Sequence, residues 1–101
     1  MWLFAIFDLP VDSPEHRRVY TRFRKALLAE GFAMLQYSVY ARHCRSEEKA
    51  EAFKGHLRGR LPKEGEVRLL MITDAQFAKM EVFHGIQRDE PEQPPLPFIF
   101  L

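Results

Sequence analysis

Residues Trp2-Leu3-Phe4-Ala5-Ile6-Phe7 form an apolar, aromatic-rich run that Asp8 closes and Leu9-Pro10 follow at once. Such a run reads as a buried strand. Pro10 has no N–H for a ladder, so the strand ends about there. Leu3, Ala5 and Phe7 point to one face and Trp2, Phe4 and Ile6 to the other, because side chains alternate along a strand. Both faces therefore demand cover, and Asp8 falls on the Trp2 face. A carboxylate at the end of a buried strand requires compensation by a metal ion, a helix N-terminus or an arginine. Arg17, Arg18 and Arg22 follow closely.

The next segments alternate in type. Asp12-Ser13-Pro14-Glu15 marks a helix start, with Ser13 as cap and Pro14 in the first turn. The spacing predicts a helix to about Glu30, stopped at Gly31, with Val19, Phe23, Ala26 and Leu27 facing inward and Tyr20 at the margin. Leu28 falls outside that stripe. Phe32 to Cys44 reads as one long strand, or as two with a break near Gln36–Ser38. Ser46 caps a second helix with Ala50, Phe53 and Leu57 inward, ended by Gly59 and Pro62. Val67–Thr73 is a strand, residues 74–76 turn the chain, and Met80–His84 form another strand. The order of elements predicts an α+β sandwich of ferredoxin-like type, with two helices on one face of an antiparallel sheet.

A chain of 101 residues is one domain with a modest core. With both helices on one face, no chain remains for the other, and a second copy packed sheet to sheet is the economical cover. Nine phenylalanines point the same way. Domain bounds are set at 1–87 for the sandwich and 88–101 for a Pro-rich tail. In that tail Asp89–Pro95 reads as an extended linker, and Phe98-Ile99-Phe100-Leu101 as a short strand that docks on an exposed sheet edge.

Net charge is +1, but residues 1–60 hold eleven Lys/Arg against seven Asp/Glu, and residues 61–101 four against seven. The first half suits phosphates. Cys44 is the single cysteine, so no internal disulfide or cysteine-pair zinc site exists and a reducing cytoplasm is the expected setting. The N-terminal run lacks the basic leader of a signal peptide and no stretch reaches membrane-span length.

Phe7-Asp8-Leu9-Pro10, Phe23-Arg24-Lys25-Ala26-Leu27, Gly31-Phe32, Leu35-Gln36-Tyr37-Ser38-Val39-Tyr40, Arg42-His43-Cys44 and Ile72-Thr73-Asp74-Ala75-Gln76-Phe77, taken in order, resemble the small CRISPR-associated protein family Cas2, in a form like that of type II systems. The match spans about residues 1–87. The resemblance implies a ferredoxin-like homodimer, with a break near Gln36–Ser38 separating two antiparallel strands. It implies that Asp8 is the catalytic and metal-binding residue, holding Mg2+ with its dimer mate for endonucleolytic cleavage of single-stranded RNA or DNA. It further implies bridging of the Cas1 integrase during integration of spacer DNA, and a C-terminal strand that pairs with a partner.

Arg17, Arg18, Arg22, Arg24 and Arg42 are the candidate nucleic-acid contacts; the bland alternative is solvated helix faces. Arg45, Lys54, Arg58 and Arg60 are weaker candidates. Tyr37 and Ser38 are possible supports of the site, against simple sheet packing. His43, His56 and His84 read better as polar surface positions, and Cys44 has no framework that makes it a nucleophile. Two functions stay open: a magnesium-dependent endonuclease, and a DNA-binding scaffold for the integrase with no nuclease role of its own.

Overall fold

The computed structural model describes residues 1–95. The elements are β1 (Trp2–Asp8), α1 (Pro14–Ala29), β2 (Ala33–Gln36), β3 (Val39–His43), α2 (Glu47–Arg58), β4 (Glu66–Ile72), α3 (Asp74–Ala78), β5 (Val82–His84) and β6 (Gln87–Asp89). The first four strands form one antiparallel sheet in the order β2-β3-β1-β4. The result is an α+β unit compatible with a ferredoxin-like fold. β1 is central, as its apolar character on both faces demands.

Local chemistry sets the helices. The Ser13 hydroxyl accepts from the His16 amide at 3.1 Å, Pro14 opens α1 and Glu15 lies in its first turn. Ser46 accepts from the Lys49 amide at 3.1 Å and caps α2. These hydroxyls satisfy donors that a helix start leaves orphaned. Leu3, Ala5 and Phe7 meet Phe23 and Leu27 of α1 and Ala50 and Leu57 of α2 in one core cluster. Leu28 is exposed, in line with its place outside the inward stripe. The break in the long apolar segment falls at Tyr37-Ser38, between β2 and β3.

The C-terminal third departs from the sequence expectation. Residues 74–76 are not a simple turn but the start of α3, held by a capping box in which Thr73 and Gln76 bond reciprocally. The strand expected at Met80–His84 is shortened to β5, which leaves the main sheet and pairs with β6 as a separate hairpin.

The second sheet face is also not bare within one chain. Phe77 of α3 stacks on Trp2 with centroids 4.0 Å apart and lies 5.8 Å from Phe4. Ile6, Leu35, Val39, Ile72 and Met80 pack around this cluster. Pro91 is buried, so the Asp89–Pro95 segment is not a free linker at that point. The expectation that no chain was left for this face is thus corrected: the residues after β4 cover part of it. β6 spans residue 87, the expected domain limit. The docking strand expected at Phe98–Leu101 lies outside the described residues. No helix among them is long and apolar enough to cross a membrane.

Candidate nucleic-acid and carboxylate site

Asp8 ends β1 on the face opposite α1 and α2, as the alternation predicts, but it is exposed. The sequence argument that burial forces a compensating partner therefore fails; water already solvates this carboxylate. The ladder sets Asp8 directly opposite Glu66. Glu66 binds Arg68 at 2.6 Å, and that guanidinium holds the Glu66 carboxyl below the usual carboxylate range. The sequence reading missed Glu66, which only the β1–β4 register places beside Asp8.

The backbone at Asp8 is pinned from two sides. The Phe7 amide donates to the Ser38 carbonyl at 3.1 Å. Ser38 has φ 66, a left-handed conformation uncommon for serine, and its hydroxyl lies 3.2 Å from that of Tyr20. On the other side Gly65 has φ 88, and a Cβ there would lie 2.6 Å from the Asp8 carbonyl oxygen. Only glycine allows so close an approach at that φ. Ser38 thus supports the end of β1 through its backbone. Tyr37 is 80% exposed and its ring stacks on Tyr20 at 6.1 Å; the Tyr20 hydroxyl pushes the Tyr37 phenol upward.

The five candidate arginines do not share one surface. Arg17, Arg18 and Arg22 line one open groove with Thr21 and Lys25 on the outer face of α1. Arg17 donates to the Val11 carbonyl at 3.2 Å, and Arg18 has only a loose 3.7 Å pairing with Glu15. Among the described residues Arg22 and Lys25 have no ion-pair partner. Arg24 instead donates from Nε to the hydroxyl of buried Tyr40 at 2.9 Å. Arg42 lies beneath α2 with its guanidinium carbon 4.0 Å from the Phe53 ring centre. Lys25, which the candidate set omitted, follows Arg18 and Arg22 along the helix and was legible from that spacing.

Near the start of α1, His16 bridges Asp12 at 2.5 Å and Glu64 at 3.2 Å. His43 contacts Asp74 at 3.1 Å, and Asp74 also receives the Met1 amine, which lowers its carboxyl most strongly. Cys44 is buried, and burial pushes its thiol upward, which fits a packing role. Among the described residues no three His, Cys, Asp or Glu side chains converge on a common metal position.

Residues 1–80 match the family model described as CRISPR associated protein Cas2. The chain belongs to the Cas2 family. Its relatives include a protein of Parvibaculum lavamentivorans, 50% identical over 95 residues, covering 94% of both chains. One of Flavobacterium psychrophilum is 41% identical over 96 residues, covering 92% of this chain and 84% of its own. One of Streptococcus mutans is 40% identical over 89 residues, covering 88% and 81%. All three are named CRISPR-associated endoribonuclease Cas2. The Cas2 match takes in β1, both long helices and the capping box of α3, so it includes every residue placed around Asp8 above.

Proposed function

We propose that this Cas2-family chain is a nucleic-acid-binding homodimer of CRISPR adaptation, with a metal-dependent endonuclease centre at the paired Asp8 carboxylates. The observation that carries this reading is the position of Asp8: exposed, on the sheet face away from α1 and α2, at the end of the central strand, and fixed by Ser38 and Gly65. The naming of its relatives as endoribonucleases supports the reaction class.

The donor set fits a hard cation. Asp8 offers carboxylate oxygens free of any competing cation among the described residues, whereas Glu66 opposite is engaged by Arg68, and oxygen ligands suit magnesium. One chain alone brings too few ligands, so the second copy of Asp8 completes the site. Leu70 lies in register with Phe4 on this face and is 49% exposed, which leaves apolar surface for that second copy. A bound magnesium ion supplies charge stabilisation at the reacting phosphodiester. The chain's own residues position the substrate. Asp8, with its backbone fixed, would hold the ion; Arg17, Arg18, Arg22 and Lys25 would hold phosphates along α1; the exposed Tyr37 ring would offer a stacking surface for an unpaired base.

A second reading, a scaffold that carries DNA for the Cas1 integrase without cutting it, is favoured by one observation. The groove on α1 is wide and basic, whereas each chain brings few acidic ligands. Asp8→Ala separates the two. Cleavage of single-stranded RNA with Mg2+ is expected to fall at least a hundredfold, while spacer integration with Cas1 persists. Loss of integration with cleavage intact would overturn the proposal.

A further inference from the structure

A second concavity lies at the opposite end of the sheet from Asp8. Arg42, His43, Arg45, Lys49 and Phe53, together with Cys44 and with Pro95 of the C-terminal segment, line a cleft of about 380 Å³. His43 sits opposite Trp2 in the ladder, so the cleft is roughly 20 Å from Asp8 at the usual rise of a strand.

Arg42 is built into its wall. Its guanidinium lies over Phe53, and a terminal nitrogen rests against Gly31, where any Cβ would collide with it. Its Nε is buried without a hydrogen-bond partner, and a buried donor without an acceptor costs folding free energy. Stacking on an aromatic ring fixes the plane of the donor fork before any ligand arrives.

Nearby acids do not neutralise the cleft. Asp74 is engaged by His43 and the Met1 amine, Glu51 by Lys54 and Glu30 by His56. Glu47 and Glu48 lie in the first turn of α2 but do not line the cleft. Among the described residues Arg42, Arg45 and Lys49 form no ion pair, although their like charges converge on one space. A tetrahedral oxyanion in that space would offset these charges.

We propose that this cleft is a second phosphate site, separate from the α1 groove. The nucleic-acid reading above, on which this assignment of source rests, makes its occupant a phosphate of a bound strand.

Arg45 and Lys49 are exposed, so the double variant Arg45→Ala/Lys49→Ala is expected to keep its thermal melt. Two probes are used on the full chain: a labelled DNA duplex, followed by anisotropy across a salt series, and inorganic phosphate, followed by amide shifts of residues 42–49. The double variant is expected to bind duplex roughly tenfold more weakly near 0.1 M salt. Its salt slope is expected to be shallower by about 0.9 for each lost contact. Arg42→Lys keeps the charge but loses the fork, and is expected to weaken both probes. If the wild type binds duplex and the double variant matches it in affinity and slope, the cleft proposal is wrong and the α1 groove stands. If only inorganic phosphate binds, and the variant abolishes it, the phosphate site stands and the nucleic-acid source is overturned. Binding of neither probe by the wild type overturns both.

Discussion

Arg24 and Arg22 are neighbours in sequence with different fates. Arg22 faces the open groove, while Arg24 gives its Nε–H to the Tyr40 hydroxyl, which is almost fully buried. Removing Arg24 leaves that hydroxyl without its partner, a cost of about 1–3 kcal/mol. Arg24→Ala is therefore expected to destabilise the fold by that amount while leaving duplex affinity close to wild type. In a Tyr40→Phe background the same change is expected to cost much less, because the orphaned group is gone. Urea denaturation of the four proteins in this cycle measures the coupling directly. At this scale the sequence showed which residues carry charge but not which of them the core claims. Asp8 was legible as the residue that ends a strand. Its exposure was not, since that depends on where β3 and β4 stop beside it. Ser38 was legible only as part of a break, because serine does not announce a left-handed turn as glycine does.

The elements most legible in the sequence were those with strong periodicity and caps: β1, α1 and α2. The Thr73-x-x-Gln76 capping box was present in the sequence but headed a helix of only five residues, too short for periodicity to reveal. β6, Gln-Arg-Asp, has no apolar alternation at all. Elements are also tied together by groups no pattern predicts. His16 at the start of α1 clamps Asp12 before it and Glu64 in the turn before β4. The Asp12 contact, then Glu64, raises the His16 ring above its ordinary 6.5, and His16 in turn lowers the Asp12 carboxyl below 3.8. A raised histidine contributes stability fully below its unfolded value and loses it as pH rises through the folded one. A lowered aspartate contributes above its unfolded value and loses it as pH falls. The clamp therefore stabilises most in mildly acidic solution. The melting-temperature gap between wild type and His16→Ala is expected to be widest near about pH 5.5 and to shrink toward pH 8.5. A gap that does not change with pH would show that the clamp carries no charge interaction.

Across the whole molecule, the sheet separates two tasks. One face is sealed by α1 and α2, and the outer surface of α1 carries the basic groove. The other is partly covered by α3 and the residues after it, and it carries Asp8 at its edge. The antiparallel sheet with two helices on one face was legible because the helices and strands alternate in a way few topologies accept; the order β2-β3-β1-β4 was not. The cover supplied by residues 74–92 was not, because a short helix and a polar segment with prolines look like connection rather than core. Leu70, in register with Phe4 on that face, is exposed; under the proposed function it belongs to the surface on which a second copy would bring the two Asp8 carboxylates together. Under the proposed function each chain would supply half of one metal site. Calorimetric titration of the full chain with Mg2+, with particle mass followed by light scattering, tests it most directly. The expected result is a particle of about twice 11.9 kDa that binds one ion for every two chains, with a heat signal that Asp8→Asn abolishes without dissociating the dimer. One ion per chain, or binding that survives Asp8→Asn unchanged, would contradict it.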